Sequence, residues 1–165
     1  MSATVPSLLQ RALDTALDRS LVLGYTRIGP AVRRRWWAPD AEPGSLAGRH
    51  VVVTGATSGI GTAMVESFLD LGATVHVLGR NAAKVTDLVA DLRRRRPTAE
   101  LVEEVCDVGD LDAVRAWTDD LAARIEDLHA IVHNAGVMPP ERSLSAQGHE
   151  STLATHVIGP LLMTE

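Results

Sequence analysis

Cysteine, lysine, tyrosine and phenylalanine occur once each in these 165 residues, as Cys106, Lys84, Tyr25 and Phe68, and aromatic side chains make up 3% of the chain. A single cysteine excludes an intrachain disulfide and a metal centre built on cysteines, and it fits a reducing cytoplasm. No apolar run approaches the roughly 20 residues that a membrane-spanning helix needs, and no basic start followed by a short apolar core marks a secretory signal. Asp14 and Asp18 sit inside the first helical pattern, which argues against a transit peptide. The formal net charge of -5 offers no broad basic surface, so no nucleic-acid partner is expected.

What is present begins with an amphipathic pattern. Ser7 can cap a helix in which Leu9, Leu13, Leu17 and Leu21 recur every fourth residue, ending near Gly24. Arg33-Arg34-Arg35-Trp36-Trp37 follows, then a loop carrying Pro39, Pro43 and Gly44 that reads as a boundary. The expected division is therefore an N-terminal helical extension and linker over 1–47 and a main domain over 48–165. The arginine-tryptophan run has two readings. One is an interfacial contact, with cations for lipid headgroups and indoles at the water boundary; the other is a helix that packs its tryptophans and solvates its arginines. The second is favoured, because the leucine face is short and aspartates interrupt its charge. Weak membrane-surface contact through 1–45 is the alternative.

From His50 onward, apolar runs at Val51–Val53, Thr74–Leu78, Leu101–Cys106 and Ala130–Val132 read as short buried strands. Between them lie three helical patterns. The first uses Ile60, Met64, Phe68 and Leu71 and is stopped by Gly72; the second uses Val85, Leu88, Val89 and Leu92 from Asn81 to Pro97. The third uses Leu111, Val114, Trp117 and Leu121, which places Trp117 in a core. Strands alternating with helices, with no hairpin signal, predict an α/β fold with a parallel sheet. In such a sheet, ligands bind beyond the carboxyl ends of the strands.

The first of those ends is Thr54-Gly55-Ala56-Thr57-Ser58-Gly59-Ile60-Gly61, where an apolar strand runs into a glycine turn and then a helix. Gly55 permits backbone angles that other residues avoid, and Gly59 and Gly61 allow close approach. The loop would present amide hydrogens and a helix N-terminus to an anion such as a dinucleotide pyrophosphate. The second end is Gly79-Arg80-Asn81, where a carboxylate would select a ribose 2′-hydroxyl; none is present, and Arg80 can instead pair with a 2′-phosphate. NADP is therefore expected in preference to NAD.

Thr54-Gly55-x-x-x-Gly59-x-Gly61, then Cys106-Asp107-Val108, then His133-Asn134-Ala135-Gly136 resemble, in order and spacing, the short-chain dehydrogenase/reductase family. The resemblance runs from Gly48 to Glu165. It implies a Rossmann-type doubly wound sheet, incomplete at the C-terminus here, carrying an extra N-terminal amphipathic helix. It implies cofactor contacts from Gly55, Thr57, Ser58, Gly59, Ile60 and Gly61. It places Asp107 and Val108 at the adenine, Asn134 at the sheet and cofactor wall, and Ala135 and Gly136 beside the nicotinamide ribose. Asp107 could instead cap the helix that begins at Asp110. His133 departs from the family's first asparagine, which leaves the hydrogen bonding there open.

The stretch from Gly148 to Thr164 looks like the family's long central helix, with His156 where an asparagine holds a water in a proton relay. An imidazole can also pass protons. Gly24-Tyr25-Thr26-Arg27-Ile28-Gly29 and Ala154-Thr155-His156-Val157-Ile158-Gly159-Pro160 together resemble relatives of dehydrogenase/reductase member twelve. No metal site is expected: His129 and His133 would stand about 13 Å apart on a strand, and His149 and His156 about 10 Å apart along a helix.

Family catalysis needs a tyrosine that handles the substrate proton and a lysine four residues later that lowers its pKa. Tyr25 precedes the glycine loop and Lys84 falls on the second helix, so they cannot form that pair. No catalytic residue is therefore assigned beyond the position of His156. The chain also stops within an amphipathic pattern, so the expectation is the cofactor-binding N-terminal part of a longer oxidoreductase, inactive by itself. When complete, that protein would pass hydride between NADP and a small carbonyl or alcohol. The resemblance is compatible with a homo-oligomer built on the central helix. Two other readings stand beside it: a non-catalytic nucleotide-binding or interaction module, and a membrane-associated adaptor.

Overall fold

The computed structural model describes residues 7–20, 22–23 and 26–165. Leu21, Gly24 and Tyr25, which entered the helical pattern and the subgroup resemblance, lie outside the described residues. The chain divides into two compact units, Met1–Ala41 and Glu42–Glu165.

In the first unit, α1 (Leu8–Asp18) opens on a capping box. The Ser7 backbone N–H donates to Gln10 Oε1 at 2.7 Å, and the Gln10 N–H donates to Ser7 Oγ at 3.3 Å. α1 ends at Asp18, earlier than the leucine spacing predicts. Ser20 supplies the reason: its hydroxyl accepts the Leu23 N–H at 3.1 Å, so the chain starts a new turn there. α2 (Ile28–Arg33) follows, and its last residue donates hydrogen bonds to both Asp14 and Asp18 of α1.

The second unit is a four-stranded parallel sheet in the order β3-β2-β1-β4, with β1 at His50–Thr54, β2 at Thr74–Gly79, β3 at Leu101–Val105 and β4 at Ala130–Val132. Three helices connect these strands: α3 (Gly59–Asp70), α4 (Ala82–Arg95) and α5 (Leu111–Arg124). This is the Rossmann-type arrangement, and both faces of the sheet are covered. Val51, Val53, Val75 and Val77 pack with Val65 of α3 and Val85, Val89 and Leu92 of α4. Val52 and Leu78 pack on the opposite face with Val114, Trp117 and Leu121 of α5. Each such side chain, fully withdrawn from water, contributes about 1.5–3 kcal/mol.

In α3 the expected face is only partly the buried one: Met64 and Phe68 pack against the core, but the fully buried positions lie beside them. Gly61 and Val65 are buried, whereas Ile60 is 69% exposed, because it lies in the first turn where the helix leaves the glycine loop. Gly72, at a φ of +82°, ends the helix as expected. His76 is the one polar residue on the inner positions of β2, 1% exposed, and it sits within a hydrogen-bonded chain. Its Nδ1 lies 2.8 Å from Glu104 Oε1 and its Nε2 lies 3.0 Å from His50 Nδ1. Glu104 also accepts from Trp117 Nε1 at 2.9 Å and from Arg124 at 3.0 Å. Burial pushes the Glu104 carboxyl up, but hydrogen bonds from His76, Trp117 and Arg124 outweigh that and hold it below the ordinary value.

The C-terminal segment is not one uninterrupted α-helix. It comprises α6 (Ser151–Leu153), a π turn (Ala154–Ile158) and α7 (Gly159–Leu162). Pro160 has no N–H to give the carbonyl of residue 156, so the ordinary α-helical bond is missing and the wider turn is accommodated there. Gly159 lets this segment pack against the loop that follows β3, since a Cβ would lie 2.2 Å from the Val108 carbonyl oxygen.

Candidate cofactor site

The carboxyl ends of all four strands open on one cleft of about 530 Å³, within the range typical of ligand sites. Its walls include Gly55, Thr57, Ser58, Gly59 and Ile60 from the loop after β1. Arg80 enters after β2, Asp107 and Val108 after β3, and Asn134, Ala135 and Gly136 after β4. Eleven of the twelve residues expected at a cofactor therefore meet in one place, though they are drawn from four separate stretches of chain.

Gly61 is the exception, and it supports the loop from beneath. A Cβ there would lie 2.3 Å from the Gly55 carbonyl oxygen and 2.8 Å from Asn134 Nδ2, so only glycine lets α3 pack this close to the turn. Gly55 has a φ of +63°, and a Cβ there would stand 2.8 Å from Ala135 Cα. Gly59 is also left-handed, at +53°, but a Cβ there would meet nothing within 4 Å, so the loop stays open on the cleft side.

The three connecting helices begin differently. Asn81 Oδ1 accepts the Lys84 N–H at the start of α4, and Asp110 Oδ1 accepts the N–H groups of Asp112 and Ala113 at the start of α5. Ser58, before α3, makes no side-chain cap. Gly59 and Ile60 at the start of α3 line the cleft without a side-chain cap, while the Gly61 N–H donates to the Ser58 carbonyl at 3.1 Å, so the first two amides are of the kind an anion can satisfy. The donors thus fit a pyrophosphate, with Arg80 and Lys84 on the same wall for further negative charge.

Asn134 is fixed by the sheet. Its backbone N–H donates to Thr54 Oγ1 at 3.0 Å, and its Nδ2 donates to the carbonyls of Thr54 at 3.1 Å and Gly55 at 3.2 Å. Asp107 is free of the cap that the sequence also allowed for it: Asp110 caps α5, while Asp107 Oδ1 accepts the Gly109 N–H at 2.9 Å and its carboxylate lies at the cleft. His133 is exposed. His156 lies over Gly136, where a Cβ would come within 2.9 Å of its Cε1, and its Nε2 is 3.1 Å from both the N–H and the carbonyl oxygen of Val137. It belongs to the π turn, beside the Gly136 end of the cleft.

Sequence reasoning missed Lys84, Asn81, Val137 and Thr155 on the wall. Lys84 was findable, because the first turn of a helix capped by Asn81 returns beside Arg80. Thr155 was not, because its approach depends on the π turn. Cys106 also reaches the cleft; burial, reinforced by the charges of Asp107, Asp110 and Glu104, pushes its thiol up to about 12, which leaves it unreactive.

The family described as short chain dehydrogenase matches residues 49–165. This chain belongs to the short-chain dehydrogenase family, whose members are NAD(P)-dependent oxidoreductases. It is 35% identical over 129 residues to the short-chain dehydrogenase/reductase pkfC of Emericella nidulans, covering 76% of this chain and 41% of that protein. It is 30% identical over 119 residues to human retinol dehydrogenase 12, covering 72% of this chain and 38% of that protein. Among solved structures, a metagenomic short-chain oxidoreductase in complex with NADP superimposes with a TM-score of 0.63 at 27% identity, covering 72% of this chain and 54% of that one. The chain spans about two fifths of the length of the curated relatives it matches.

Proposed function

We propose that residues 48–165 are the cofactor-binding part of an NADP-dependent short-chain oxidoreductase. The observation that carries this reading is the convergence of an uncapped helix N-terminus, Arg80, Asp107 and Asn134–Gly136 on a single cleft. In it, the α3 amides hold the pyrophosphate, Arg80 and Lys84 hold the 2′-phosphate, and Asp107 accepts from the adenine amine. Bound NADP supplies the nicotinamide that gives or takes hydride. Ala135 and Gly136, which carry little or no side chain, let its ribose approach the end of β4.

The proton is handled by groups outside this set. Lys84 stands in the first turn of α4 at the adenine-side wall, so it does not serve as the lysine of a Tyr-x-x-x-Lys pair. His156 is a positioning residue for a relay water at the Gly136 end, in the place where the family carries asparagine. Its Nε2 is engaged with the Val137 backbone, which leaves Nδ1 to meet solvent or a water. The substrate of the whole protein is a small carbonyl or alcohol, and its compartment is the cytoplasm.

Limited proteolysis with and without NADPH tests the cofactor assignment. Protection of the 55–61 and 134–137 loops by NADPH is expected, and cleavage at the same rate with and without it contradicts the assignment.

A further inference from the structure

The N-terminal unit carries an amphipathic helix that is packed on its polar side and open on its apolar side. At about 100° per residue, Leu8, Leu9, Ala12, Leu13, Ala16 and Leu17 of α1 fill one half of its circumference. Gln10, Arg11, Asp14, Thr15 and Asp18 fill the other. The contact α2 makes is with that second half, through Arg33 to Asp14 and Asp18. Leu17 is buried, at 6%, but Leu8 is 86% exposed, Leu9 72% and Leu13 40%. Val22, Leu23, Ile28 and Trp37 are exposed as well. An open leucine face of this extent calls for a covering surface.

The charges of the unit say which. Met1–Ala41 holds six arginines and three aspartates, a net of about +3 within a chain whose total is -5. Two of the three aspartates are paired with Arg33, whose single positive charge they share. Arg11, Arg19, Arg27, Arg34 and Arg35 are all exposed and pair with no carboxylate among the described residues. The aspartates that would repel an anionic surface are thus occupied, and the cations that would attract one are not. Trp37 stands exposed two residues after Arg35, beyond the half-buried Trp36, in the order of cation and indole suited to a water-lipid boundary. None of the described helices is long and apolar enough to cross a membrane, so the contact lies along the surface.

We infer that residues 8–37 form a peripheral contact with an anionic phospholipid bilayer, inserting the Leu9–Leu13 face and placing the free arginines among the headgroups. The inference is independent of the cofactor reading, since no cleft residue enters it.

Flotation of the full chain with vesicles of phosphatidylcholine, with and without phosphatidylserine, tests it. The chain is expected to float with the phosphatidylserine vesicles and to remain below with phosphatidylcholine alone. Raising the salt should release it, because the headgroup attraction is screened. The double substitution Leu9→Asp, Leu13→Asp should lower the bound fraction at least roughly tenfold while leaving the circular dichroism unchanged, since both side chains are exposed. Arg34→Glu with Arg35→Glu should do the same without touching the leucine face. A chain that never floats overturns the inference. So does equal flotation of the leucine variant, or a leucine-dependent dimer in solution that ignores vesicles, which would assign the face to a second copy.

Discussion

Thr54 and Asn134, eighty residues apart in sequence, are joined by two hydrogen bonds, both donated by Asn134. Thr54 Oγ1 accepts the Asn134 N–H at 3.0 Å, and Asn134 Nδ2 donates to the Thr54 carbonyl at 3.1 Å. The same hydroxyl accepts the Ala135 N–H at 3.0 Å and donates to the Val132 carbonyl at 3.2 Å. One buried side chain thus locks the end of β1 to the turn after β4 and sets the width of the cleft between them.

Thr54→Val keeps the shape of that side chain and removes its hydroxyl, leaving the Ala135 N–H without its acceptor and the Asn134 N–H with only the Val132 carbonyl, at 3.0 Å. The expected loss of stability is about 1–3 kcal/mol. Thr54→Ser should restore most of it. Urea unfolding midpoints of the three proteins check this, and equal midpoints for wild type and the valine variant would assign the bonds no weight.

Gly61→Ala places a methyl 2.3 Å from the Gly55 carbonyl oxygen, a clash with backbone that no rotamer change relieves. We expect a cost of about 1–3 kcal/mol from overpacking, and a loss of dinucleotide affinity greater than that stability change explains. Gly59→Ala meets no neighbour and is strained only by its φ of +53°, so it should be milder in stability. Thermal unfolding of both variants gives the comparison.

Glu104 is 4% exposed and its carboxyl is held below an ordinary value of about 4.5, so the unfolded chain takes up this proton more readily than the folded one. Its contribution is complete above pH of about 4.5 and is lost as the pH falls through the depressed folded value. Glu104→Gln removes the charge while retaining an acceptor for Trp117. The expected cost at neutral pH is about 2 kcal/mol, with a flatter acid limb between roughly pH 5 and 3. Denaturation curves across that window measure both effects; an unchanged acid limb would show that other carboxylates control it.

Cys106, with its thiol pushed up to about 12, should react with a thiol reagent at pH 8 roughly a thousandfold more slowly in the native chain than in urea. A stopped-flow labelling rate near that of the unfolded chain would mean that the site opens readily.

The sheet was legible mainly because β1 and β2 are short, largely apolar runs closed by a glycine, a polar residue or both, as at Val53-Thr54-Gly55 and Leu78-Gly79-Arg80, whereas β3 carries Glu103 and Glu104 and is only partly buried. The cleft was legible for the same reason, since a parallel sheet brings its strand ends together wherever the sequence separates them. Glu104 and His76 were not. Their pairing across β3 and β2 depends on register, and the spacing of charged residues in Leu101–Val105 carries no sign of it. The π turn at Ala154–Ile158 was hidden as well, because an apolar period alone does not reveal one missing hydrogen bond at Pro160. The early end of α1 was set by Ser20, a local competitor that the leucine spacing ran past.

Fluorescence titration of the chain with NADPH and NADH, for the wild type and for Arg80→Ala, tests the central claim most directly. Charge-assisted bonds to a 2′-phosphate are worth about 1.5–3 kcal/mol, so wild type should bind NADPH at least roughly tenfold more tightly than NADH. Arg80→Ala should lower NADPH affinity while leaving NADH affinity nearly unchanged. Equal affinities in the wild type, or a preference untouched by the substitution, would contradict the assignment of Arg80 and with it the NADP reading of the cleft.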